Sequence, residues 1–107
     1  MDDFEYRVLL YDFYGQLLTP DQREVYDEHV MEDLTVSEIA QNRGVSRQAV
    51  SDLIKRTEKI LALYEEKLGL VGRFINIRKR IGDIRALAVK NGQSEIAGMI
   101  EGILEEL

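Results

Sequence analysis

A chain of 107 residues, 45% of them apolar, is long enough for one helical core without support from a metal or a disulfide. It contains no cysteine and one histidine, which excludes disulfides, thiolate catalysis, cysteine-ligated zinc and any histidine cluster. The formal charge of −6 argues against a general nucleic-acid coat protein, because duplex affinity comes largely from Lys and Arg displacing counterions from phosphates.

The distribution of that charge says more than its total. Residues 1–45 carry 3 basic and 11 acidic side chains, residues 46–90 carry 11 and 5, and residues 91–107 carry 0 and 4. Net positive charge is therefore confined to the middle, where it can form a local footprint for an anionic partner or pair with the chain's own acidic neighbours. The opening MDDFEYRVLL places acids where a signal peptide needs positive charge, and no apolar run approaches the ~18 residues of a membrane span. A cytoplasmic protein with no membrane span is expected.

The start and stop signals predict an all-α fold. A first helix runs from about Asp2 to Leu18, with apolar residues over most of its circumference (Phe4, Tyr6, Val8, Leu9, Leu10 and Tyr11 among them), so it should be buried or shared. Thr19-Pro20-Asp21-Gln22 is a capping box with proline at the first helical position and opens a helix to about Glu32. Thr35-Val36-Ser37-Glu38 opens a short helix that Gly44 ends. Ser46 caps a long helix to about Leu68, with Gly69 at its end. A further helix from about Leu70 to Lys90 places Leu70, Phe74, Ile77, Ile81, Ile84 and Ala88 at alternating spacings of four and three, and Asn91-Gly92 closes it. The last helix, from about Ser94, repeats that spacing with Ile96, Ile100, Ile103 and Leu107.

The informative stretch is VSEIAQNRGVSRQAVSDLIK, Val36 to Lys55. Small Ala40 lets two helices approach, Gly44 makes the turn, and Ile39, Val45, Val50 and Leu53 fall where a helix-turn-helix needs apolar contacts. The other face of the second helix carries Ser46, Arg47, Gln48, Ser51, Asp52 and Lys55, followed by Arg56 and Lys59. Ser, Arg and Gln can reach phosphates or base edges in a major groove, so these eight residues are the candidate nucleic-acid-binding set. Asp52 is the residue that opposes this assignment, since a carboxylate repels phosphates. Arg73, Arg78, Lys79, Arg80 and Arg85 form a second basic cluster, for which a solvated helix face is the default.

The residues Leu18 to Leu61, with their LT-x-x-x-R-E-V start and SEIA…GVSR core, resemble the promoter-reading C-terminal domain of bacterial sigma factors. YDFYGQLLT (Tyr11 to Thr19), VSRQAV, IKRTEKIL and YEEKLGL (Tyr64 to Leu70) resemble the YlxM family, small sigma-like proteins, over Phe4 to about Leu70. That resemblance implies a cytosolic accessory protein of the signal recognition particle pathway, without catalysis. It implies promoter-type DNA, signal recognition particle RNA or protein components of the targeting machinery as partners. Gln48-Ala49 and Ser51-Asp52 depart from the arginine-rich recognition helix of sigma factors.

Taken together, residues 1–107 are expected as a single domain, a helical bundle with a helix-turn-helix core at about 20–60 and a C-terminal helical extension at about 70–107 for self-association as a homodimer. Neighbouring acids such as Glu65-Glu66 diverge by about 100° on a helix and cannot chelate together, and no glycine-rich phosphate loop is present. No enzyme, catalytic residue, metal or cofactor is expected. A protein-interaction adaptor using the same fold without touching nucleic acid is the alternative function.

Overall fold

Short polar side chains just ahead of apolar periodicity set where the first four helices begin. In the computed structural model, which describes residues 1–107, α1 (Asp3–Tyr14) starts at Asp2, whose carboxylate accepts the Glu5 N–H at 2.8 Å. It tightens into a 3-10 turn, Gly15–Leu17. α2 (Pro20–Tyr26) opens on a reciprocal capping box: Gln22 N–H donates to Thr19 Oγ1 at 3.3 Å, and Thr19 N–H donates to Gln22 Oε1 at 3.0 Å. Thr35 and Glu38 repeat that device ahead of α3 (Val36–Arg43), at 3.1 and 3.2 Å. Ser46 Oγ accepts the Ala49 N–H at 3.0 Å and starts α4 (Arg47–Leu68). α5 (Leu70–Lys90) and α6 (Ser94–Glu106) complete an all-α chain. Gly44 and Gly69 end α3 and α4 at φ 67° and 64°, a region where glycine carries no Cβ penalty. None of these helices is long and apolar enough to cross a membrane.

The chain divides into two compact units, Met1–Gly69 and Leu70–Leu107. In the first unit, α4 turns Val50, Ile54, Thr57 and Leu61 inward, at steps of four, three and four. They meet Tyr14 from α1, Val25 and Tyr26 from α2 and Ile39 from α3, each no more than 2% exposed. Complete burial of such side chains contributes about 1.5–3 kcal/mol each, so this face of α4 organises the unit. The buried Thr57 hydroxyl donates to the Leu53 carbonyl at 2.7 Å and leaves no orphaned polar group.

Two details of this unit depart from the sequence expectations. The helix expected to run plainly to Glu32 passes from α2 into a π-helical turn, Asp27–Met31, closed by the Glu32 N–H donating to Asp27 C=O at 3.1 Å. His29 sits in that turn half-buried, its Nδ1 paired with the Leu34 carbonyl at 3.0 Å. α1 also ends as an α-helix at Tyr14, and only Leu10 and Tyr14 within it are buried. Phe4, Tyr6, Phe13 and Leu17 remain 38–57% exposed, so the apolar circumference is not fully covered.

The aromatic motif has a packing explanation. Tyr11 lies against Tyr26 with ring centroids 5.8 Å apart, and a Cβ on Gly15 would come within 3.2 Å of the Tyr11 ring. Tyr14 stacks toward Tyr64 at 5.9 Å and donates to Glu65 Oε1 at 2.5 Å, joining α1 to the far part of α4. These tyrosines serve the core.

The second unit is an antiparallel hairpin. Ala88, Ala97 and Ile100 form its core, with Ile81 and Leu104 packed against them. The sequence seam through Ile96, Ile100, Ile103 and Leu107 is therefore only partly correct: α6 turns Ala97, Ile100 and Leu104 inward and leaves Ile96, Ile103 and Leu107 47–49% exposed. On α5, likewise, Ile81 and Ala88 face the core, while Ile77 and Ile84 are 41% and 54% exposed.

Candidate nucleic-acid interface

The motif is assembled from backbone geometry first. Gly44 turns the chain sharply, its N–H donates to Gln41 C=O at 3.3 Å, and the Val45 N–H donates to Ala40 C=O at 3.1 Å. Ile39 and Val50 are buried beside the turn and Leu53 is half-buried, so they supply the apolar contact that the sequence assigns to them. Val45 does not. It is 49% exposed, because the hydrogen bonds fix this corner through the main chain and its side chain is left on the surface. Val45 instead helps line a recess of about 380 Å³ with Asp21, Arg43, Ala49, Leu53 and Arg56.

The first helix of the motif, α3, is tied to α2 and the π-helical turn by an ion-pair clamp. Arg43, the last residue of α3, donates through its guanidinium to Glu28 at 3.0 and 3.4 Å and to Glu24 at 3.3 Å. Hydrogen bonding to Glu28, opposed in part by burial, raises the Arg43 pKa above its already high ordinary value. This arginine belongs to the scaffold and is not free to meet a phosphate.

On α4, the face opposite Val50, Ile54, Thr57 and Leu61 carries Gln48, Asp52, Lys55 and Lys59 in one stripe, all exposed and spaced four, three and four. Gln48 Nε2 donates to Asp52 Oδ1 at 2.9 Å, so the carboxylate engages the amide beside it. The other sequence candidates do not join the stripe. Ser46 uses its oxygen as the helix cap. Arg47 lies about 100° round the helix from Gln48, and half-buried Ser51 follows it on that flank. Arg56 lies on the opposite flank, at the recess, where its Nε approaches the Asp52 carbonyl at 3.5 Å. The stripe and its two flanks together carry Arg47, Lys55, Arg56 and Lys59 against Asp52 and Glu58, a local positive excess on an acidic protein.

Spacing in the sequence identifies the stripe but not the Gln48–Asp52 bond or the clamp. The clamp joins residues 15 and 19 positions apart, which helix periodicity does not connect. No group of three or more His, Cys, Asp or Glu side chains is placed to hold a metal ion.

Comparison with known proteins agrees with this architecture. Residues 1–99 match the family UPF0122, described as "Putative helix-turn-helix protein, YlxM / p13 like". A UPF0122 protein of Thermoanaerobacter sp. (strain X514) is 40% identical over 99% of this chain and 94% of its own. One from Caldanaerobacter subterraneus subsp. tengcongensis is 46% identical over 78% of this chain and 72% of its own. A third, from Bacillus pumilus (strain SAFR-032), is 41% identical over 92% and 89%. The likeness extends well beyond Leu70, the limit of the sequence motifs, into the C-terminal hairpin. With a helix-turn-helix built on capped, glycine-terminated helices and this match along nearly its whole length, the chain belongs to the UPF0122 family of YlxM / p13-like proteins.

Proposed function

We propose that the protein is a cytoplasmic, non-enzymatic regulatory or accessory protein that binds nucleic acid through α4 and serves the signal recognition particle pathway. The observation that carries this reading is the stripe Gln48, Asp52, Lys55 and Lys59 on the solvent face of a helix whose other face is locked into the core. A helix held in this way behind a tight turn can enter a major groove as a rigid element. Lys55 and Lys59, with Arg56, supply phosphate contacts, Gln48 supplies a base-edge contact, and Ser46, Arg47 and Ser51 lie nearest the entering end. The pathway assignment rests on membership of the YlxM / p13-like family.

The test is equilibrium binding of the full chain, at low and moderate salt, to promoter-type duplex DNA and to signal recognition particle RNA, with a Lys55→Ala/Lys59→Ala variant. Binding that weakens with salt, and whose salt slope falls by about two phosphate contacts in the variant, supports the reading. A folded protein that binds neither ligand at low salt sinks it. The second reading, a protein-interaction adaptor for the targeting machinery, is favoured by one observation, the Asp52 carboxylate in the centre of the stripe, where it repels phosphates.

A further inference from the structure

An amide has two unlike ends, and on the exposed face of α4 one glutamine has its ends assigned. Gln48 Nε2 donates to Asp52 Oδ1 at 2.9 Å, one turn further along the helix. Arg56 stands at the (i, i+4) spacing from Asp52 that favours an ion pair, yet its Nε approaches the Asp52 main-chain carbonyl at 3.5 Å. The carboxylate is given to the glutamine. Because a carboxylate only accepts, the nitrogen end of the amide must face it and the oxygen end is turned away. Such a bond at the surface adds little stability; what it sets is orientation.

The amide can still offer one N–H and its Oε1 outward, the donor and acceptor couple that matches N7 and N6 of adenine in the major groove. Guanine presents two acceptors there, O6 and N7, which Oε1 and the neighbouring carboxylate repel. Gln48 is the second residue of α4, at the end by which a recognition helix contacts base edges, and Val50 and Ile54 are buried on the opposite face and hold that end in place. We infer that Gln48 selects adenine over guanine at one base pair of a duplex DNA site, with Asp52 as the positioning residue that orients the amide. The inference rests on the nucleic-acid reading of α4 and narrows it to duplex DNA, since side chains cannot read the deep, narrow major groove of an RNA helix. The charge that counts against Asp52 beside a phosphate counts in its favour beside a base edge, where it excludes guanine.

Repeated binding and sequencing of duplexes that carry about ten randomised base pairs, one helical turn, tests it with the full chain at low salt. The wild type is expected to enrich adenine over guanine by about tenfold at one position, and Gln48→Ala to abolish that preference. Asp52→Ala is expected to reduce the preference to about twofold while binding duplex at least as tightly as the wild type, because a repelling charge is gone. Mere structural damage would weaken binding instead. Asp52→Asn keeps an acceptor for Gln48 Nε2 and is expected to retain most of the preference. Enriched sites without an adenine preference, or a preference that Gln48→Ala leaves intact, overturn the inference while duplex binding by α4 stands. An Asp52→Ala variant of undiminished selectivity overturns the positioning role. Binding to the signal recognition particle RNA alone, with no duplex retained, overturns the assignment to DNA. A folded protein that retains neither nucleic acid sinks the α4 reading itself, and this inference with it.

Discussion

The two units of this protein use similar apolar residues to opposite ends. In Met1–Gly69, α4 is surrounded by three other helices and hides Val50, Ile54, Thr57 and Leu61 almost completely. In Leu70–Leu107, a pair of helices encloses Ala88, Ala97 and Ile100 and leaves Ile77, Ile84, Leu87, Ile96, Met99 and Ile103 exposed. The difference teaches that amphipathic periodicity announces a helix and a face, whereas the number of helices that can gather on that face decides how much of it is buried. Two helices can cover only one flank of each other; four can enclose a core.

Substitutions sharpen that contrast. The largest effect is expected from Leu61→Ala, where a fully buried side chain is removed from between helices; about 2–5 kcal/mol of stability should be lost in urea unfolding. If the loss is below about 1 kcal/mol, the first unit is not packed around α4. Gly44→Ala should cost about 1–2 kcal/mol, since its φ of 67° strains any Cβ even though the space around it is open.

A pH titration probes the same core. Burial first, then the negative field of Glu58, pushes the Tyr26 pKa up to about 12 from its ordinary value of 10.0, against the opposing charge of Arg7. Above pH 10 the unfolded tyrosine ionises while the folded one does not. This contribution to stability is thus intact below pH 10 and is lost as the pH rises toward 12, by an amount of order 1–2 kcal/mol. Comparison with Tyr26→Phe isolates it, and parallel pH profiles for the two proteins would contradict the burial of that hydroxyl.

Gly15→Ala carries information in its sign. The backbone there is ordinary right-handed helix at φ −58°, so alanine alone would stabilise by a few tenths of a kcal/mol, but the 3.2 Å approach to Tyr11 should turn this into a loss of about 1 kcal/mol. Stabilisation would mean that the Tyr11 ring moves aside freely. At the small end, Val89→Ala, in the second unit and 56% exposed, should change stability by less than about 0.5 kcal/mol.

How much of this was legible in the sequence follows from how local each signal is. Thr19 with Gln22, Thr35 with Glu38, Ser46, Gly44 and Gly69 all act within four residues, and each stands at the helix boundary it predicts. The stripe on α4 was legible for the same reason. Val45 was not, because whether a residue beside a turn points inward depends on the angle between helices rather than on spacing. Nor was the choice of Ala97 and Leu104 over Ile96 and Ile103: a four-three repeat defines an apolar sector, and only the position of the partner helix decides which flank is covered. The Arg43 clamp on Glu24 and Glu28 required the fold to exist before it could be seen.

The π-helical turn at Asp27–Met31 bears on how such a chain tolerates change in length. A π turn is a helix that has taken in one additional residue while both of its ends stay in place, here held by the Glu32–Asp27 bond and by His29 beneath the Leu34 carbonyl. A relative one residue shorter between Asp27 and Met31 can revert to a plain α-turn and still deliver Thr35 and α3 to the same position. Insertion and deletion are thereby absorbed within a helix, a tolerance more usual in surface loops.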